Sequence, residues 1–566
     1  MKLCEKGKSL KKIGVLLDSF NVNKYLYETV HRLAQAGQVE LFFLVNSDQA
    51  SRPGIWGRTR LTIKTQGLLR FIELSFFKSL TAAEHMILSP FSAKIRAHNK
   101  SFSLRKFNVK EIVRLHPIFS ASRLTVRYPR PDTDKIKSFD LDLIIRGNAP
   151  GIFKGDMLQA AKDGIISFHH GDNRWNRGGP AGFWEVYLKK PSTGFIIQIL
   201  TGDLDGGRVL FRGNIPTLQS YTENIVNLYN ESNPYLARLI LNYAERGRLP
   251  AAEERFPFGG GVLRVPSFSQ SVIYLLHTCW VYFSFIVREF ILHWGPRWNV
   301  AFIKTPWHHA VLRQGIEIKN PPGRYFADPF VITKNGRTVC FVEDCPCRDK
   351  KARITAIEII DGERYNILGP VIEEPFHMSF PFLFEYGHQL YMVPETSQAK
   401  AIRLYQCMEF PMKWEYRKDI KTNVNAGDSL VFEYEGKWWL LSNMGTEGNV
   451  DLCSTLMAFS SENPLSDDWS AHALNPLVFD SWLARNGGLL DVGSRCPVRV
   501  RQRHDFNVYG ANLTFAKITD LTPVSFQEEE IGRISPDFFR GINRVHHMHS
   551  DGNYTVYDYA RDAILI

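Results

Sequence analysis

A histidine and an aspartate on neighbouring elements could move protons together. The run Gly164-Ile165-Ile166-Ser167-Phe168 reads as an apolar strand that delivers His169 and His170 at its carboxyl end. Asp203-Leu204-Asp205-Gly206-Gly207 reads as a Gly-flanked turn. In an open α/β sheet, strand ends converge on one crevice, so both groups can face one substrate. A free imidazole titrates near ~6.5, and a carboxylate beside it orients it and favours its cation. His169 with Asp205 is therefore acid/base equipment. Each residue alone also fits a plainer role, a strand-end histidine bonded to a carbonyl or a turn aspartate capping its own loop. The loop between them carries Asp172, Asn173, Arg174, Asn176, Arg177 and Gly178. That density of polar groups suits a sugar or phosphate, or a solvated surface loop, and Arg177 could fork onto an anion.

The run Gly164 to Pro180, with Arg177-Gly178-Gly179-Pro180, and the later Leu204-Asp205-Gly206-Gly207 resemble the folate-dependent formyltransferases. The resemblance implies a Rossmann-like α/β fold, an Asn-His-Asp triad and formyltetrahydrofolate as cofactor. His169 and Asp205 match the His and Asp of that triad, whereas the Asn position holds Ser167. A hydroxyl is shorter than an amide and must rotate to donate to an oxyanion; losing one such donor costs ~3 kcal/mol of transition-state stabilisation. Asn148 and Asn173 are the nearby amides that could stand in for it.

The elements that would position these groups begin at Ile13 to Asp18, a strand, followed by helical spacing over Asn23 to Ala36 and a second strand at Val39 to Asn46. A βαβ start implies a parallel sheet. No Gly-x-Gly-x-x-Gly follows the first strand, which argues against a dinucleotide fingerprint. Residues 60 to 130 give no clear assignment. Leu141 to Arg146 reads as a buried strand and Asp156 to Lys162 as a short helix. Gly194 to Leu200 and Arg208 to Arg212 read as strands, Glu223 to Arg246 as a closing helix, and Arg246 to Pro266 as a linker.

From Arg324 the pattern changes to short strands, aromatics and turns. Segments begin near Tyr325, His377, Asp428, Arg485 and His546, a period of roughly 45 to 55 residues that suits four-stranded propeller blades. A double sandwich is the competing arrangement. Ala327-Asp328-Pro329-Phe330, Ser379-Phe380-Pro381, Tyr391 to Thr396, Trp438-Trp439-Leu440 and Tyr509-Gly510 are similar to the propeller module of glucosamine inositolphosphorylceramide transferases. That module is in turn similar to five-bladed arabinanase-type glycosidases. Asp328, Glu395 and Asp428, with His377, Asp505, His546 and Asp558, are the candidates to face the axis. A carboxylate pair there would permit glycoside cleavage; sugar binding needs none.

Composition limits the classes available. The 566 residues are 44% apolar and 22% charged, the balance of a globular chain of two or three domains. A formal charge of +11 suits anionic ligands, but no basic tract alternates with stacking aromatics, so nucleic acid is not expected as a partner. Eight sparse cysteines, Cys345 and Cys347 the closest pair, point to reduced thiols rather than disulfides or a metal site. The basic start, Met1 to Lys12, lacks a signal-peptide pattern, so a cytoplasmic setting is expected. Val272 to Val287 is apolar and stops at Arg288-Glu289, short of the ~20 residues that span a bilayer. It reads as a helix packed on a neighbour. Trp280, Trp294, Trp298 and Arg297 leave open peripheral membrane contact through 272–298.

The expectation is thus an α/β Rossmann-like formyltransferase-like domain over 1–265, an apolar helical linker over 266–320 and an all-β five-bladed propeller over 321–566. Its expected activity is formyl transfer from formyltetrahydrofolate to the amine of an amino sugar on an anionic carrier. The substrate would be held by Asn148, His170, Asp172, Asn173, Arg174, Arg177 and Gly178. Two alternatives are an impaired formyltransferase domain tethered to a sugar-binding propeller, and a propeller glycosidase.

Overall fold

The strand Lys11–Leu17 (β1) buries its last five residues completely enough to need cover on both sides, and its place in the sheet supplies it. The structure, a computed structural model, describes residues 10–47, 55–202, 206–254, 257–258, 261–349, 351–445 and 451–565. The chain divides into two compact units, Met1–Trp280 and Val281–Ile566.

In the first unit β1 leads through helix Lys24–Ala36 (α1) to Val39–Asn46 (β2). The helix is started by Asn23, whose side chain accepts from the Leu26 N–H. The stretch left unassigned by sequence holds helices Ile55–Gln66 (α2) and Leu68–Leu88 (α3), then Glu111–Leu115 (β3). Leu143–Arg146 (β4), Ile165–His169 (β5), Ser192–Ile199 (β6) and Arg208–Pro216 (β7) complete a sheet of order β7-β6-β5-β4-β1-β2-β3. β3, β2, β1, β4 and β5 run parallel, and β6 and β7 join antiparallel. The parallel strands read as continuous apolar runs because both of their faces are covered.

Three local expectations change. The single helix expected over Glu223 to Arg246 is two, Tyr221–Ser232 and Pro234–Arg246, because Pro234 has no N–H to continue the ladder. The turn Gly155–Gln159 replaces the longer helix expected at Asp156 to Lys162. The apolar stretch forms helix Phe268–Ile286 (α4) and continues as a π turn to Ile291, 24 residues in all with mean hydropathy 1.4 and 17% of its apolar window buried. It is long and apolar enough to cross a membrane, and largely uncovered rather than packed away.

The second unit is all-β. Five sheets of four or five strands follow one another, and their inner strands are Arg324–Lys334, Ser379–Tyr386, Ala426–Tyr434, Asn486–Leu490 and Met548–Ser550. Each inner strand touches the next, and the last touches the first, so the sheets close a ring. The segment starts read from the sequence fall at these strands. The fifth sheet pairs Trp294–Ile303 antiparallel with Thr555–Ile564 from the other end of the unit. Residues 294–318, expected within the linker, therefore belong to the ring. An antiparallel ladder between its first and last strands satisfies edges that would otherwise stay open.

Candidate functional site

The first unit has a cavity of about 380 Å³ where β4 and β5 end, lined by Arg146, Asn148, Ser167, His169, His170 and Gly178 among others. The cavity thus brings together five of the sequence candidates, Asn148, Ser167, His169, His170 and Gly178. Asp205 lies outside the described residues. His169 Nε2 lies 3.2 Å from the Asn176 carbonyl, which can only accept, so that nitrogen carries the proton. Ser167 is buried and donates to the Phe168 carbonyl at 3.1 Å.

Other candidates are committed to the protein itself. Asn148 accepts from the Asp18 N–H at 2.7 Å and donates to the Ser19 and Asn21 carbonyls, which fixes the loop after β1 and takes its amide away from an oxyanion role. His170 stacks on Tyr229 at 3.8 Å and 8°, and burial pushes its imidazole down to about 3. Asp172 pairs with Arg174 and Arg212, each at 2.5 Å. Burial works against its charge, yet these partners hold it below the usual carboxylate range. Asn173 is buried and accepts from Arg212 at 3.1 Å. The Arg177 guanidinium lies 4.2 Å from the Phe258 ring, and Gly178 pairs with Leu263 in a short ribbon. The polar loop is therefore an internal network more than a ligand cradle. Glu185, which no sequence signal marked, accepts from Asn176 at 3.1 Å and is pushed up to about 7 by burial.

The second unit concentrates its chemistry at the ring's axis. Four inner strands break register at the same place, between Ala327 and Phe330, Ser379 and Phe382, Gly427 and Leu430, and Asn486 and Gly488. Asp328, Phe380 and Asp428 occupy the first three bulges with positive φ, and Gly488, also at positive φ, borders the fourth. Bulges re-aim side chains, and holding a non-glycine residue at such φ requires surrounding structure to impose it.

Two charge groups result. His546 Nδ1 lies 2.6 Å from Asp558 Oδ2 and its Nε2 3.5 Å from Asp328 Oδ1, while Trp298 stacks on the imidazole at 3.8 Å. Burial opposes the charge on His546, but the two carboxylates outweigh it and hold the imidazole above its ordinary value. Burial pushes Asp328 up to about 6 in spite of His546. In the second group Arg485 Nε lies 2.5 Å from Asp428 Oδ2 and Nη2 lies 3.2 Å from Glu395 Oε2. Gln502 also donates to Asp428 at 2.9 Å. Burial and the surrounding carboxylates hold Glu343 well above the usual range, and burial does the same to Asp428 in spite of Arg485. Tyr509 is 41% exposed, yet surrounding protein desolvates its phenol and holds it well above its ordinary range.

Of the sequence candidates, Asp328, Glu395, Asp428, His546 and Asp558 meet here. His377 stands beside Glu343, its Nε2 3.7 Å from Oε1. Asp505 does not belong: it is exposed in a hairpin turn, where its carboxylate accepts from the Phe506 N–H at 2.7 Å. Sequence reasoning missed Arg485, Glu343 and Tyr509 as site residues. The Arg485-Asn486-Gly487-Gly488 run at a repeat start was the available signal.

Two sets, Asp328 with His546 and Asp558, and Glu343 with Cys345 and His377, bring their ligand atoms within 4.8 Å of one another. Neither fits a metal well. Both His546 nitrogens face carboxylates, as an imidazolium would. His377 Nδ1 accepts from the Ala352 N–H at 3.3 Å, so Nε2 carries the proton and cannot ligate. Cys345 and Cys347 are buried free thiols.

His504, stacked on Tyr509 at 4.7 Å, gives a pH test. Its Nδ1 accepts from the Gly510 N–H at 3.1 Å, and burial pushes the imidazole down to about 3. A depressed folded value means that its contribution to stability is present above the unfolded value and lost as pH falls through ~6.5 toward the folded one. By pH 5 the loss is ~2 kcal/mol. Denaturant unfolding of the wild type and His504→Phe should show their stability gap shift against the wild type by that amount between pH 7.5 and 5. Parallel profiles would show that the imidazole is not held neutral.

Comparison with known proteins assigns a likeness to this ring. A family model described as glucosamine inositolphosphorylceramide transferase 1, N-terminal, matches residues 310–550. The transferase of that name from Oryza sativa subsp. japonica is 30% identical over 235 residues, 40% of this chain and 31% of the relative. The Arabidopsis thaliana one is 30% identical over 213 residues, 37% and 28%. The chain thus spans about a third of the length of these relatives. Among solved structures, the catalytic domain of a Coprinopsis cinerea GH62 alpha-L-arabinofuranosidase is 12% identical, covers 48% of this chain and 98% of its own, and has a TM-score of 0.32. Glycinamide ribonucleotide transformylase 1 from Symbiobacterium toebii is 15% identical over 42% and 89%, with a TM-score of 0.25. Likeness of that degree decides nothing about activity. The expected formyl transfer to an amino sugar, and with it the formyltransferase class, is overturned by the named relatives, which are glucosamine inositolphosphorylceramide transferases.

Proposed function

We propose that the chain serves glycosyl transfer, with the all-β unit binding an amino-sugar or inositol-phosphate head group at its axial recess. One observation carries this: the stretch similar to the glucosamine inositolphosphorylceramide transferases, residues 310–550, supplies Asp328, Glu343, Glu395, Asp428, Arg485 and His546 to a single axis. Glycosyl transfer asks for a group that takes the acceptor hydroxyl's proton and for charge that steadies the departing phosphate. Asp328, near neutrality in its acid strength and backed by His546, is the proton-handling group. Tyr509, 41% exposed, offers an aromatic surface beside it, and convergent polar groups next to an aromatic wall suit a sugar.

The finer fold reading follows the same course. The ring is a five-bladed propeller, and the first unit is Rossmann-like, similar to the folate-dependent formyltransferases in fold and without their reaction. Its cavity beside His169 accepts a small polar ligand. The setting is the cytoplasmic face of a membrane, where a lipid-borne head group is presented.

The test incubates the purified full chain with nucleotide-activated amino sugars and inositol-phosphate ceramide, reading mass gain on the lipid, and titrates inositol phosphate and glucosamine calorimetrically. Transfer or saturable binding is expected, weakened about tenfold or more by Asp328→Asn, the cost of one charged hydrogen bond. No transfer and no binding by the wild type would overturn the reading. So would affinities unchanged in both Asp328→Asn and His546→Gln.

A further inference from the structure

We propose that the outer apolar face of α3 and α4 rests on an anionic lipid surface, with α4 lying in the plane of the interface. The first half of α4 is docked by one side only. Ser271, Tyr274 and Thr278 are buried, and the Tyr274 hydroxyl bonds Glu84 of α3 at 2.9 Å. Phe268 meets Phe76 of α3 at 4.6 Å, and Arg70 donates to the Val265 carbonyl at 2.7 Å. The other side is largely exposed. Leu276 and Trp280 are each 65% exposed, and on α3 Leu69 is 70% and Ile87 64% exposed. Water is a poor solvent for so much contiguous hydrocarbon, and a patch of this kind marks an interaction surface.

Charge selects the occupant. Exposed Arg60, Lys64 and Lys78 accompany α2 and α3, whereas Glu73 is paired with Arg70 and Glu84 is taken up by Tyr274. Lys189 and Lys190 are exposed, and Lys189, near His277 of α4, adds to the burial that pushes that imidazole down. A second copy of this chain would bring like charges together, and the formal charge of +11 makes that worse. Anionic head groups complement the same cations, each basic side chain near the surface contributing about 1 kcal/mol. An exposed Trp on an amphipathic helix sits at the head-group level. Spanning is the weaker arrangement, because a helix crossing the bilayer would give up the Tyr274 to Glu84 bond and the cover over Ser271 and Thr278.

Co-sedimentation of the full chain with vesicles of phosphatidylcholine, with and without phosphatidylserine, tests this. Binding to the mixed vesicles is expected, falling as salt rises. Leu276→Glu with Trp280→Glu should lower it about tenfold or more, and Leu276→Ser with Ile273→Ser should act in the same direction without adding charge. Lys189→Glu with Lys190→Glu should weaken binding only where phosphatidylserine is present. The proposal is overturned if the wild type does not sediment, or if both apolar-face variants, with unchanged unfolding midpoints, sediment like it. It is also overturned if the wild type forms a lipid-independent dimer that these variants abolish while vesicles leave it intact. Head-group transfer by the ring is a separate readout, so either reading can fail alone.

Discussion

Replacing Arg485 with methionine should destabilise the all-β unit by about 3–5 kcal/mol, the cost of breaking a buried charge pair from one side. The guanidinium is 9% exposed, lies 2.5 Å from Asp428 and 3.2 Å from Glu395, and donates to the Leu452 carbonyl at 3.3 Å. Gly427 makes room for it, since a Cβ there would stand 2.6 Å from Arg485 Nη1. Methionine fills similar volume but leaves two carboxylates buried without their cation. Burial already holds Asp428 well above the usual carboxylate range in spite of the guanidinium, and in the variant, without that cation, it rises further above the unfolded value of ~4. Stability tied to a raised carboxylate is full below its unfolded value and is lost as pH rises through its folded value. The deficit of Arg485→Met should therefore shrink on going from pH 8 to pH 5.5. Adding Asp428→Asn and Glu395→Gln should recover most of it at pH 8, because the whole charge set is then gone. Denaturant unfolding at both pH values reads all three variants. A pH-independent loss below about 1 kcal/mol would mean that the axial charges are solvated and the recess is not a buried site.

The ring was legible because its period is local: each segment start near Tyr325, His377, Asp428 and Arg485 falls within an inner strand or one or two residues before it. Its closure was not, because Trp294–Ile303 pairs with a strand more than two hundred residues later, and no local pattern encodes that partnership. Glu343 escaped notice for a related reason. It follows the apolar run Val339 to Val342 inside a buried strand and becomes an axial acid only when other sheets place Asp328, Glu395 and Asp428 around it.

The misreading in the first unit has a different cause. Motif spacing located a crevice at the ends of β4 and β5, and the cavity is there. Spacing does not say which polar groups remain available, and Asp172, Arg174, Asn173 and Asn148 are spent on Arg212, on one another and on the loop after β1. The apolar stretch reads as ending at Arg288-Glu289, but an exposed charged pair does not stop a helical path, which runs on past α4 as the π turn to Ile291. The chain leaves the helical path at His293, and the strand that follows contains Pro296.

Gly488→Ala should be among the most damaging single substitutions in the ring, at or above the ~4 kcal/mol that marks a specific structural lesion. At φ +131° glycine is nearly obligatory, and a Cβ would lie 2.1 Å from the Met548 carbonyl oxygen, a backbone atom that no side-chain rotation can move. Gly493 separates the two contributions. Its φ is +83° with nothing within 4 Å of the added Cβ, so Gly493→Ala carries conformational strain alone and should cost only ~1 kcal/mol. The excess at Gly488 measures how closely the inner strands of the fourth and fifth sheets approach. His546 and His547 immediately precede Met548, so pushing that strand outward also draws the imidazole away from Asp328. Head-group binding should fall in Gly488→Ala even where enough folded protein remains to assay, and should persist in Gly493→Ala. Equal, small losses in both variants would show that the strands stand further apart than the bulge requires, and the Asp328–His546–Asp558 arrangement would not survive that result.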